Sequence, residues 1–145
     1  MSLDPHNELA QVHPDLVSVM TQAAQTPQAF QIVCGIRTPE EQAAALASGN
    51  SRTKNSRHLP CERYGGVSMA IDFACLDAAG KIDWTIADDD GGIYGTAALQ
   101  ILAAAEDLGI PIQWGGQKIG AWTDGKPSTF RDWGHVQLSA SHYPA

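Results

Sequence analysis

The sequence predicts an α+β domain, a small antiparallel sheet with helices packed on one face. Three observations carry this reading. Met69 to Cys75 alternates strictly: Met69, Ile71, Phe73 and Cys75 point one way, and Ala70, Asp72 and Ala74 the other, which is the period of a strand. His135 to Leu138 repeats the alternation, with Val136 and Leu138 opposite His135 and Gln137. Helical patterns with clear start and stop signals lie before and between these segments. Helices are therefore expected to cover the apolar face. Asp72 and His135 are both expected on the uncovered one.

The elements follow in order. A first helix starts near Pro14, since proline suits the first helical position. Leu16, Val17, Met20 and Ala24 then recur at helical spacing, and Thr26-Pro27 ends the helix. Phe30 to Ile36 reads as a buried strand with β-branched Ile32, Val33 and Ile36. Thr38-Pro39-Glu40-Glu41 is a capping box. It opens an alanine-rich helix that Gly49 stops. Asn50 to Gly66 is polar and turn-rich, a long loop. Ala79-Gly80-Lys81 reads as a hairpin turn, and Asp88-Asp89-Asp90-Gly91 as a solvated turn that lacks the spacing of a calcium loop. A helix is expected over Thr96–Leu108, with Leu99, Leu102, Ala103 and Glu106 at helical spacing and Gly109 as its stop. A short strand, Ile112–Trp114, and a long loop from Gly115 to Arg131 complete the chain up to the last strand.

Composition bounds the function. The 145 residues are 43% hydrophobic and 17% charged, ordinary for one globular domain spanning 1–145. The net charge is −7 and the pI about 5.0, which argues against nucleic acid, because phosphate binding needs clustered cations. No apolar window approaches a membrane span. The N-terminus lacks the basic flank and apolar run of a signal peptide. The three cysteines, Cys34, Cys61 and Cys75, include no C-x-x-C pair and are expected as free thiols of a reducing cytoplasm.

Three short pieces carry the chemistry: Ser56-Arg57-His58, Ser68 to Asp72, and Asp132-Trp133-Gly134-His135. Two histidines and one carboxylate, here His58, Asp72 and His135, are a sufficient protein ligand set for catalytic zinc, because three ligands leave a fourth position for water. Asp132, three residues before His135, places an acid where it can take that water's proton. The pattern is that of a metal-dependent hydrolase.

These residues resemble the M15 family of zinc D,D-peptidases and L,D-endopeptidases, which act on bacterial peptidoglycan. Its pattern S-x-H-x-x-G-x-A-x-D is opened here by Ser56-x-His58 and closed by Ala70-x-Asp72, and its E/D-x-x-H is Asp132-x-x-His135. Gly35-Ile36-Arg37-Thr38-Pro39-Glu40-Glu41-Gln42 is similar to the family's upstream segment. Val12-His13-Pro14-Asp15-Leu16 and Trp114-Gly115-Gly116 look like the phage endolysin branch, the L-alanyl-D-glutamate peptidases. The resemblance implies the fold of hedgehog and D-Ala-D-Ala peptidases. It implies Zn²⁺ on His58, Asp72 and His135, Asp132 as general base, and Arg37 stabilising the oxyanion. Gln42 and Trp122 are expected substrate contacts, and Ser56 is expected to orient either the loop or a bound substrate. One departure stands out: His58 and Asp72 are 14 positions apart, where the family pattern has seven, so Leu59 to Gly65 looks like an insertion. Cys61, within it, is expected to be a plain thiol.

The resemblance further implies a monomer whose partner is the peptidoglycan stem peptide, cut at the L-Ala–D-Glu bond. It implies no stable membrane association, and a phage enzyme held in the host cytoplasm until a holin gives it access to the wall. Two alternatives use the same residues: a D,D-carboxypeptidase or dipeptidase of the family, and a non-catalytic zinc-binding module that recognises the wall.

Overall fold

A computed structural model describes residues 3–24, 27–49, 56–85, 91–116 and 132–145. Helix α1 spans Pro14–Ala23 and is capped by His13, whose Nδ1 accepts from the Asp15 N–H at 3.0 Å. Its buried stripe is Leu16, Val19, Met20 and Ala23, one face of a 3.6-residue period. Helix α2 spans Pro39–Ala47 with both halves of the capping box formed. Helix α3 spans Ile93–Leu108. Strands β1 (Phe30–Cys34), β2 (Ala70–Cys75), β3 (Ile112–Trp114) and β4 (His135–Leu138) form one antiparallel sheet in the order β1-β2-β4-β3.

The α+β architecture matches the expectation from the alternation. Ile32, Ile71, Phe73, Val136 and Leu138 are at most 1% exposed. They share a core with Leu16, Val19 and Met20 of α1 and with Tyr94, Ala97, Ala98 and Ile101 of α3. Phe73 stacks on Tyr94 and meets Phe30 edge-on. Each such large side chain contributes about 1.5–3 kcal/mol on leaving water. No helix among the described residues is long and apolar enough to cross a membrane.

Helix α3 is the expected helix, extended at its start. It begins three residues earlier than the leucine spacing suggests, and it buries Tyr94, Ala97, Ala98, Ile101, Ala104 and Ala105. Leu99 is 69% exposed. Alanines let the helix approach α1 and the sheet closely, and close approach rather than side-chain size decides which face goes in. The presumed insertion is also ordered. Cys61 and Val67 bridge, a 3₁₀ turn runs over Glu62–Tyr64, and Tyr64 packs its ring against His13 and Tyr143. The inserted residues thus close on themselves and dock on the segments flanking α1 and following β4.

Candidate metal centre

Register explains how the site assembles. Asp72 on β2 is the direct partner of His135 on β4. Opposed residues of an antiparallel pair project from the same face. A bulge between Ile32 and Cys34 shifts the register of β1, so Cys34 stands opposite Asp72 on its other side. Bulges re-aim strand side chains in this way beside functional sites.

His58 arrives from a loop, and the backbone fixes it. Its N–H donates to Ser56 Oγ at 3.1 Å, its carbonyl accepts from the Arg37 N–H at 2.9 Å, and the Met69 N–H donates to the Arg57 carbonyl at 3.0 Å. Arg57 anchors the same loop by donating from Nη2 to the carbonyls of Leu138 and Tyr143. The His58 ring is 2% exposed, with Nδ1 at 2.7 Å from the Gly35 carbonyl. Gly35 must be glycine: a Cβ there would lie 2.5 Å from the Glu8 carbonyl oxygen, and the Gly35 N–H is tied to Glu8 Oε2.

The polar side chains then converge. His58 Nε2 lies 3.2 Å and His135 Nδ1 3.1 Å from the same oxygen, Asp72 Oδ1. Arg37 Nη2 pairs with Asp72 Oδ2 at 3.2 Å, and Arg37 Nη1 donates to Gln42 Oε1 at 3.1 Å. Asp132 and His135 are joined by a turn, with the His135 N–H on the Asp132 carbonyl at 3.2 Å. Gly134 within that turn admits no Cβ, which would meet the Phe73 carbonyl oxygen at 2.5 Å. One donor atom from each of Asp72, Asp132 and His135 lies within 4.8 Å of the others, and the same holds for Cys34, His58 and Asp72.

The electrostatics differ between the two acids. Burial alone would raise the pKa of Asp72, but the charge on His58 and hydrogen bonds from both histidines hold it well below the usual carboxylate range. Asp132 moves the other way: burial, then the charge of Asp72, push its carboxyl up against the pull of His135, His58 and Arg37. His135 is held up chiefly by Asp72, whose hydrogen bond and charge outweigh burial.

This donor set fits a metal ion of the borderline type. An imidazole nitrogen from each of His58 and His135 faces the same carboxylate oxygen of Asp72, and the far nitrogen of each imidazole already has an acceptor, Gly35 O for His58 and Gln137 Oε1 for His135. Outer-shell acceptors of this kind orient metal-binding histidines.

The structure brings His58, Asp72, His135, Asp132 and Arg37 close together. Other positions differ. Gln42, expected to touch substrate, is 1% exposed and lies against Arg37. Ser56 accepts from the His58 N–H, in line with the loop-orienting role of its two expected ones. The thiol near the site is Cys34, with Sγ 3.9 Å from His58 Nδ1, while Cys61 bridges to Val67. Trp114 and Trp133 pack together, with Trp114 Nε1 donating to the Trp133 carbonyl. Trp122 and Asp88-Asp89-Asp90 lie outside the described residues. Sequence reasoning missed Cys34 and the pair Gln137 and Gln113. Gln137 had a visible signal, since it shares its strand face with His135.

A sheet-borne carboxylate between two imidazoles, with a second acid and a guanidinium beside it, forms a cluster that could hold a metal ion. The family model described as phage L-alanyl-D-glutamate peptidase matches residues 1–139. The L-alanyl-D-glutamate peptidase of Escherichia phage T5 is 33% identical over 137 residues, covering 90% of this chain and 91% of that protein. The L-Ala D-Glu endopeptidase ChiX of Serratia marcescens superposes with a TM-score of 0.74 at 31% identity, covering 95% of this chain and 88% of that one. The chain belongs to the phage L-alanyl-D-glutamate peptidase family.

Proposed function

We propose that this protein is a zinc-dependent endopeptidase that hydrolyses the L-Ala–D-Glu bond of peptidoglycan stem peptides. The observation that carries the reading is the convergence of His58 Nε2 and His135 Nδ1 on Asp72 Oδ1, in a chain whose relatives bear that activity in their names. His58, Asp72 and His135 would hold the ion. When bound, zinc supplies Lewis acidity to the scissile carbonyl and lowers the pKa of water.

The chain's own residues do the rest. Asp132 takes a proton from the attacking water as its oxygen bonds to the carbonyl carbon. It returns a proton to the leaving D-Glu amine as the C–N bond breaks. Its raised pKa is the direction such a proton carrier needs at neutral pH. Arg37, oriented by Gln42 and Asp72, aims a fixed cation at the oxygen where negative charge develops. The ordered insertion docks through Tyr64 on His13 and Tyr143, and the His58 loop keeps its bonds to Gly35 and Arg37 beside it. In this reading the protein acts as a monomer on the wall and reaches it through a holin during lysis.

Digestion of purified peptidoglycan, followed by mass spectrometry of the fragments, tests this. New L-Ala C-termini and D-Glu N-termini that disappear with chelator are the expected products. Release of terminal D-Ala instead would reassign the enzyme as a D,D-carboxypeptidase. Zinc binding without any cleavage would leave a wall-recognition module.

A further inference from the structure

The two imidazoles face Asp72 through opposite nitrogens, Nε2 for His58 and Nδ1 for His135. For His58 a backbone carbonyl sets this. For His135 a side chain does. Its Nε2 lies 2.9 Å from Gln137 Oε1. The Gln137 amide is itself oriented: its Nε2 donates to Gln113 Oε1 at 3.2 Å, and that oxygen also accepts from the Ala140 N–H at 3.4 Å. An amide whose nitrogen is committed to an acceptor must turn its oxygen the other way.

An acceptor at Nε2 asks for a proton there. The hydrogen bond from Nδ1 to Asp72 belongs to the doubly protonated ring; a neutral imidazole carries only one proton, so with it on Nε2 the Nδ1 lone pair is left for a cation. The three side chains are buried, at 7% exposure for His135, 8% for Gln137 and 6% for Gln113, so a lost acceptor is costly to replace. Sheet register builds the arrangement. Gln137 is two residues from His135 on the same strand face, and Gln113 is its direct partner on β3.

We propose that Gln137, held by Gln113, is a positioning residue that fixes His135 as the Nε2-protonated tautomer and so presents Nδ1 as the metal donor. This rests on the metal-site reading above and deepens it. Without the acceptor, the neutral ring distributes its proton over both nitrogens, and the Nδ1–H form cannot ligate.

The test uses the full chain loaded with Zn²⁺. Affinity is measured by competition with a chromophoric chelator for wild type, Gln137→Met, Gln137→Glu and Gln113→Met. Long-range ¹H–¹⁵N NMR of the imidazoles reports which nitrogen of each histidine carries the proton. The expected result is protonated Nε2 on His135 and protonated Nδ1 on His58 in the loaded wild type. Gln137→Met is expected to bind zinc roughly 10- to 100-fold more weakly. Gln137→Glu keeps an acceptor and restores most of that loss, which a role in packing alone would not predict. Gln113→Met falls between them.

Either of two results overturns the proposal: His135 coordinating through Nε2, or a folded Gln137→Met that binds zinc as tightly as wild type. If Gln137→Met does not fold, the wild-type tautomer decides the matter. A wild type that binds no zinc overturns the metal-site reading instead, so the two failures are distinguishable.

Discussion

Asp72 and His135 are direct partners across β2 and β4, although 63 positions separate them in the chain. The sheet pairing itself therefore brings a carboxylate oxygen within 3.1 Å of an imidazole nitrogen. His58 joins the same oxygen from a loop, and the variants that follow separate the roles of these groups.

Asp132→Asn removes the proposed proton carrier and keeps the shape. Turnover on peptidoglycan is expected to fall about 10²- to 10⁴-fold with bound zinc unchanged. Asp72→Asn is expected to lose the metal as well. Zinc content by elemental analysis, beside fragment release by mass spectrometry, distinguishes the two. An Asp132→Asn enzyme with full activity would remove Asp132 from the mechanism.

Arg37 touches both Asp72 and Gln42, and lysine cannot reproduce that planar fork. Arg37→Lys is expected to lower kcat by about 10²-fold or more, the scale of losing one fixed group aimed at the oxyanion. Gln42→Met leaves the guanidinium present but unguided, so kcat is expected to drop less, with KM nearly unchanged. Steady-state kinetics on a soluble stem peptide checks both. A rise in KM alone after Gln42→Met would place Gln42 in ground-state binding.

Cys34 tests which side of His58 faces the metal. Its Sγ lies 3.9 Å from Nδ1, the nitrogen hydrogen-bonded to the Gly35 carbonyl. Burial, with help from the Asp72 charge, pushes the thiol of the metal-free protein up to about 11, while Cys34, His58 and Asp72 also lie close enough to share an ion. Cys34→Ala is expected to bind zinc within about threefold of wild type, whereas His58→Ala, removing a ligand, loses far more. Equal losses in the two variants would make Cys34 a ligand.

The capping box of α2 predicts a pH dependence of stability. The backbone N–H and the side chain of Thr38 hold the Glu41 carboxyl below its usual pKa. A depressed folded pKa means the contribution is fully present above the ordinary carboxylate range and is lost as pH falls through the folded value. Glu41→Ala, which removes the acceptor of the Thr38 N–H, is expected to destabilise the domain near neutral pH. The gap from wild type should narrow on acidification. Urea unfolding at several acidic and neutral pH values reads it, and a gap that does not narrow with acid argues against the Glu41 contribution.

Much of this was legible in the sequence, and the reasons are local. The alternation around Asp72 and His135 fixed the shared face, because strand side chains have period two. Thr38 and Glu41 announced the start of α2 because capping is a four-residue matter. What stayed hidden depends on contacts between distant segments. The buried face of α3 has no such marker, because its alanines are buried while Leu99 is exposed. Gln42 reads as a polar helix residue until Arg37 folds over it. The bulge that sets Cys34 opposite Asp72 has no marker in the sequence of β1.

The strand order has a kinetic meaning. β4 is inserted between β2 and β3, so β3 has no neighbour in the sheet until β4 docks. The same docking event delivers His135 to Asp72. Closing the sheet and bringing His135 to Asp72 are then one long-range step, and such steps are slow. Until β4 docks, the chain lacks His135, one of the three proposed ligands, so full affinity for metal is expected only of the folded chain.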